Sequence, residues 1–286
     1  MPEITPQMVK TLREKTGAGM ADCKKALVDA NGDMNEAIEI LRKKGAASAA
    51  KRADRVASEG IIATRLSEDR KLAAIVEVNC ETDFVARNAE FESYVNKVAD
   101  ALLGNEINNV DELMKIQVNG DTIEGIHNEI LAKFGEKIDI RRFERIKTEG
   151  SIATYNHAGN KLAVVIEVSA PNLNDTAFAL LRDISMQIAA MNPQFIDRND
   201  VDQATLAKEK EIYVQQAIDS GKPADIADRI ATGKLEKFYQ EQCLVEQAFV
   251  KDANITVGDV VKEISNIVGS EVKILSFRRY LLGENL

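Results

Sequence analysis

The sequence predicts an α+β fold on three observations. Residues 5–45 carry the punctuation of three helices, a hairpin-plus-helix unit occurs twice at a fixed offset, and a polar helical pair is broken at Ser220-Gly221-Lys222-Pro223. In the first region Thr5 reads as an N-cap with Pro6 at the first helical position, followed by Met8, Val9 and Leu12, and Gly17 ends the helix. After Gly19, Cys23, Ala26, Leu27 and Ala30 fall at i, i+3, i+4 and i+7, a narrow apolar face. Asn31-Gly32 reads as a turn. Asp33 with Glu36 has the capping-box pattern for a third helix striped by Ala37, Ile38 and Leu41. A bundle this small has a thin core and suits docking better than catalysis.

The repeat lies at an offset of 90 residues. Laid over residues 148–168, residues 58–78 match at ten of 21 positions, among them Gly60/Gly150, Lys71/Lys161, Glu77/Glu167 and Val78/Val168. Average residue usage would give about one match. Each copy reads as a β-hairpin, with strands near 60–66 and 72–78 in the first and a second strand at 162–168 in the second. A helix follows in each: Phe91, Tyr94, Val95, Val98 and Leu102 in one, Phe178, Leu181, Ile184, Ile188 and Met191 in the other.

Between Val78 and Phe91 the copies diverge. Only the first has Asn79-Cys80-Glu81-Thr82-Asp83-Phe84-Val85-Ala86-Arg87-Asn88. Phe84-Val85, flanked by Asp83 and Arg87, reads either as an exposed wedge for a partner or as a helix start, with Thr82 or Asp83 capping and Phe84 packing back as a staple. Periodicity alone favours the second. Beyond Phe195, residues 203–219 and 224–240 have thin apolar stripes (Leu206, Tyr213, Ala217; Ile226, Ile230, Leu235) and read as a helical hairpin standing away from the core. A helix at 257–268 and a strand at 272–282 close the chain, the strand expected to join the second sheet.

The chain has 286 residues, 45% hydrophobic and 29% charged, enough for one large core or two to three small ones. No apolar run approaches the ~18 residues of a membrane helix, and Met1-Pro2-Glu3-Ile4 opens no secretion signal, so a cytoplasmic location is expected. Cys23, Cys80 and Cys243 read as reduced thiols. With His127 and His157 as the only histidines, and no Cys-x-x-Cys, neither a zinc site nor a nucleophilic triad is expected, and both histidines read as surface or interface residues. Thr232-Gly233-Lys234-Leu235 lacks the glycine and hydroxyl of a phosphate loop. The net charge is -9, but residues 1–55 carry eleven Lys or Arg against eight Asp or Glu. The cations from Arg42 to Arg55 read as a phosphate-seeking patch or as a solvated helical end and connector. The acidic remainder and the 5% aromatic content disfavour nucleic acid.

Several segments together resemble the bacterial elongation factor Ts family over nearly the whole chain. They are Thr16-Gly17-Ala18-Gly19-Met20, Asp22-Cys23-Lys24-Lys25-Ala26-Leu27, Glu77-Val78-Asn79-Cys80-Glu81-Thr82-Asp83-Phe84-Val85, Ile188-Ala189-Ala190 with Pro193 and Phe195, and Ser220-Gly221-Lys222-Pro223. The resemblance implies a ubiquitin-associated-like three-helix domain (1–56), a core subdomain (57–140), a second one in two pieces (141–200 and 241–286) and an inserted coiled-coil hairpin (201–240). It implies a guanine-nucleotide exchange factor for elongation factor Tu, not an enzyme, with no catalytic residues, no cofactor, no metal and no direct nucleotide binding. It favours the wedge: Thr82, Asp83, Phe84 and Val85 would enter the partner's GTPase domain and dislocate its Mg²⁺. Met20, Asp22 and Lys24 would dock on the same domain, and Tyr155, His157 and Gln187 would grip another. A homodimer through the hairpin is a further expectation, and an RNA-associated adaptor using residues 42–55 is the alternative reading. The family pattern continues into another C-terminal helix where this sequence ends at Leu286, so contacts made by that helix do not carry over.

Overall fold

The computed structural model describes residues 4–50, 52 and 54–284. Helices α1 (Pro6–Thr16), α2 (Met20–Asp29) and α3 (Met34–Ala50) form the N-terminal bundle. The Thr5 hydroxyl accepts the Met8 N–H at 3.3 Å, and Gly17, left-handed at φ 67°, returns its N–H to Arg13 O at 2.7 Å. Asp33 caps α3 through the N–H groups of Asn35 and Glu36. The core is Val9, Leu12, Cys23, Ala26, Leu27, Ala30, Ala37 and Leu41, as the stripes require. Helix α3 runs on through residues 46–50, a stretch expected to hold a connector; alanine gives up almost no side-chain entropy in a helix.

Strands β1 (Glu59–Leu66) and β2 (Leu72–Cys80) lead through α4 (Asp83–Ala86) to α5 (Ala89–Gly104) and α6 (Val110–Met114). A small hairpin, β3 (Gln117–Val118) and β4 (Asp121–Thr122), then feeds α7 (Ile123–Phe134) and β5 (Ile138–Lys147). The second unit holds β6 (Ser151–Asn156), β7 (Leu162–Val168) and α8 (Asp175–Met191), followed by the helical pair α9 (Gln203–Asp219) and α10 (Ala224–Gln242). It closes with β8 (Ala248–Phe249), β9 (Asp252–Thr256), α11 (Val257–Val268) and β10 (Ile274–Leu281). The two main sheets are antiparallel, ordered β1-β2-β5 and β10-β7-β6, so the last strand joins the second sheet as expected.

Both sheets are buried on both faces. Ala74, Val76 and Val78 of β2 face α5, where Phe91, Tyr94, Val95, Val98 and Leu102 are all buried. The alternate residues Ala73 and Ile75 meet Ile152, Ala163 and Val165 of the other sheet, with Ile62 and Tyr280. The 90-residue offset survives in the hydrogen bonds. Ile62 N–H donates to Asn160 O and Ile152 N–H to Arg70 O, both at 2.7 Å, and Arg70 (φ 61°) and Asn160 (φ 55°) are left-handed at matching turn positions. The shared glycines have the same cause: a Cβ on Gly60 would stand 2.2 Å from Val78 O, and one on Gly150 1.9 Å from Val168 O.

Four details differ from the sequence reading. The boundary expected at 140/141 falls inside β5, whose residues 142–147 pair with β2 beyond a bulge at Arg141. Met191, expected on the apolar stripe of α8, is exposed at the helix end. On the helical pair Ala217 is buried as its stripe requires, but its partners in the seam are Ala227 and Ala231, since small side chains permit close approach, while Ile226 faces out with Ile212 and Ile218. His127 is no surface residue. It is half-buried, with Nδ1 2.6 Å from the Tyr94 hydroxyl.

Burial pushes His127 down to about 4, with Asp139 opposing weakly. In the unfolded chain it returns to the ordinary histidine value, about 6.5. Between those values the unfolded state binds more protons, so stability falls as pH drops from about 6.5 to about 4. Melting temperatures at pH 7 and pH 4.5 should therefore fall further for the parent than for His127→Gln. Equal losses would remove His127 from the acid response.

Candidate functional site

The divergent loop forms a rigid platform. Thr82, extended at φ −126°, N-caps α4 by accepting the Val85 N–H at 3.4 Å, and Asp83 and Arg87 pair across the turn at 3.0 Å. Val85 and Ala86 are buried in the first core, and Asn88 caps α5 by accepting the Glu90 N–H at 2.9 Å. The cap foreseen in the sequence is present, but the staple is not. Phe84 is 84% exposed, the most exposed large apolar side chain among the described residues, with Val56 next at 81%. An isolated helical turn has little stability of its own. Here two buried neighbours and two caps hold it.

Sequence reading missed Glu136, in the turn after α7. Its carboxylate accepts the N–H groups of Glu81 at 3.1 Å and Thr82 at 3.0 Å, and the Thr82 hydroxyl at 2.7 Å. Glu81 in return accepts the Lys137 N–H at 2.5 Å and pairs with Arg55 at 3.3 Å. The Lys137 N–H and then Arg55 hold the Glu81 carboxyl below its ordinary value. Cys80, buried beneath the loop, donates to Thr82 O at 3.2 Å, and burial pushes its thiol up to about 12, so it is a packing group at neutral pH.

The N-terminal segment presents a second surface. Met20, Lys24 and Val28 lie at i, i+4 and i+8 on α2 and form one exposed ridge, with Met20 48% and Val28 50% exposed. Asp22, half-buried beside them, pairs with Lys44 of α3. The bundle sits on α7: Arg42 pairs with Asp121 and Glu129, and a Cβ on Gly45 would lie 3.2 Å from Ala132 Cβ. Several cations of the 42–55 segment are therefore already paired, Arg42, Lys44 and Arg55 as above and Lys43 with Glu39. Lys51 lies outside the described residues.

In the second subdomain Tyr155 and His157 meet at the β6–β7 turn, hydroxyl to Nδ1 at 3.0 Å, with His157 exposed. Gln187 is not beside them on a surface; it is buried. Its amide donates to Gln247 Oε1 and Ala248 O and accepts the Val250 N–H at 2.7 Å, so it fixes the β8–β9 turn that shows Val250 half-exposed. Among the described residues no group of three His, Cys, Asp or Glu could hold a metal ion, and no helix is long and apolar enough to cross a membrane.

Comparison with known proteins adds an independent finding. A family model described as "Elongation factor TS" matches residues 81–284. The chain is similar to Elongation factor Ts of Clostridium perfringens, 46% identical over 285 residues that cover 99% of this chain and 94% of that protein. It is 43% identical to the Clostridioides difficile protein of that name over 287 residues (100% and 95%), and 44% identical to that of Halothermothrix orenii over 286 residues (99% and 93%).

Proposed function

The chain belongs to the elongation factor Ts family and is a translation elongation factor, and on that premise we propose that it is the guanine-nucleotide exchange factor for elongation factor Tu. The observation that carries the reading is the isolated exposure of Phe84 on a turn whose backbone is fixed from beneath. A solvated benzyl group gains about 1.5–3 kcal/mol on burial, and it gains this only when another molecule supplies the pocket.

No bond is made or broken in such a mechanism. GDP is held through Mg²⁺ and through backbone groups around its phosphates. The turn carrying Thr82, Asp83 and Phe84 enters the GTPase domain, Val85 staying buried in its own core as the anchor rather than a contact, and the ring displaces a partner element that supports the metal. The ridge of Met20 and Lys24, with Asp22, docks on the same domain, and the surface around Tyr155, His157 and Val250 engages another. A broad two-domain interface supplies the free energy of the distortion. By linkage the factor weakens nucleotide binding by the ratio in which nucleotide weakens binding of the factor, so GTP can release it for another cycle. The cytoplasm is the compartment for this work, and Ile212, Ile218 and Ile226 give the hairpin a surface for a second copy. The test is the release of a fluorescent GDP from elongation factor Tu. Catalytic amounts of the protein should accelerate it, and unchanged release would refute the reading.

A further inference from the structure

The densest set of polar contacts around the wedge converges on one carboxylate outside the loop. Glu136 follows Gly135, which ends α7 in the left-handed region at φ 69° and turns the chain back beneath the loop. Its Oε2 accepts two successive backbone N–H groups, from Glu81 and Thr82, and its Oε1 accepts the Thr82 hydroxyl at 2.7 Å. That hydroxyl is also the acceptor for the Val85 N–H, so Glu136 orients the group that caps α4. The bond from Lys137 N–H to Glu81 runs the opposite way and closes the clamp.

We propose that Glu136 is a positioning residue for nucleotide exchange: it fixes the strand-to-helix turn so that Phe84 is presented at one angle to the partner. The proposal rests on the reading of Phe84 as the wedge. Four residues of helix cannot hold a direction unaided. Without the clamp, the turn would have to be ordered during each encounter, and small misplacements of an acting group cost large factors in rate. Glu136 also sits at the end of the helix on which the N-terminal bundle packs, so one element mounts both proposed docking segments.

The test is a double-mutant cycle on GDP release from elongation factor Tu, using Phe84→Ala, Glu136→Ala, the double variant and Glu136→Gln. Glutamine leaves an oxygen for the two N–H groups, and its amide can donate to Thr82 Oγ1, so the same atoms can stay paired with the hydroxyl bond reversed. Glu136→Ala should lower the maximal release rate about tenfold, with the half-saturating concentration within about twofold of the parent. Glu136→Gln should stay near the parent rate, and in the Phe84→Ala background Glu136→Ala should add less than about twofold. A full-strength Glu136→Ala defect in that background, an effect confined to half-saturation, or no defect at all would overturn the proposal. Loss of rate in Glu136→Gln equal to that in Glu136→Ala would do the same. If Phe84→Ala alone releases GDP like the parent, the wedge reading fails and the positioning role falls with it. Should Glu136→Ala fold poorly, Thr82→Ala removes only the hydroxyl limb and must show the same non-additivity, or the proposal is overturned.

Discussion

Replacing Phe84 with alanine is expected to slow maximal GDP release from elongation factor Tu about 10- to 100-fold while leaving the protein as stable as the parent. The two halves of this result have separate causes. A side chain 84% exposed makes few internal contacts, and its removal should change unfolding free energy by no more than about 0.5 kcal/mol. The loss in rate follows from the free energy that the ring gains only inside the partner, about 1.5–3 kcal/mol, at 1.4 kcal/mol for each factor of ten. That gain opposes the nucleotide, so its loss falls on the maximal rate more than on half-saturation. Stopped-flow release at saturating factor, with thermal melts of both proteins, checks both halves. A variant that releases GDP as fast as the parent would leave the exposed ring without a role.

Removing the Glu77 side chain should cost about 3 kcal/mol of stability, because breaking a buried ion pair strands its partners. Glu77 is fully buried in β2. Its carboxylate meets Arg141 at 3.0 Å and Arg142 at 2.7 Å, and accepts the Gly283 N–H at 3.0 Å and the Asn79 side chain at 3.2 Å. Arg142 in turn donates to Leu281 O at 3.0 Å and stacks 4.0 Å from the Tyr280 ring, so the cluster ties the end of β10 to the first sheet. Burial pushes the Glu77 carboxyl up, but the Gly283 N–H and Arg142 outweigh it and hold it below the ordinary value. Its contribution is therefore present above the ordinary carboxylate range and lost as pH falls through the lowered value. Glu167, at the matching position of the repeat, meets among the described residues only the Ser276 hydroxyl, at 2.9 Å, and Glu167→Ala should cost about 1 kcal/mol. Urea titrations of Glu77→Ala and Glu167→Ala at neutral pH check this. Equal costs would show that the cluster adds nothing.

The elements legible in the sequence are those whose signals are local. Thr5, Gly17 and Asp33 act at their own helix ends, and the 90-residue repeat marks both hairpins without any tertiary knowledge. Residues 103–147 were silent. Helix α6 has five residues and β3 and β4 two each, too short for periodicity to register, although Asn119-Gly120 is a hairpin signal between them. The alternation of β5 is interrupted by Arg141, Arg142 and Arg145, whose charges are satisfied by Glu77 and by carbonyls from distant segments. At the site, the motif located the loop, but whether Phe84 packs inward or outward depends on what covers it, and that is tertiary. Glu136 lies 54 residues from Thr82 in the chain, a separation that no spacing rule bridges.

The most direct test of the central claim is GDP release from elongation factor Tu, timed with excess Mg²⁺ and again with the metal chelated. If the protein acts by displacing the metal, it should accelerate release strongly when Mg²⁺ is present and much less once Mg²⁺ has been removed. An equal acceleration under both conditions, or none under either, would contradict the account.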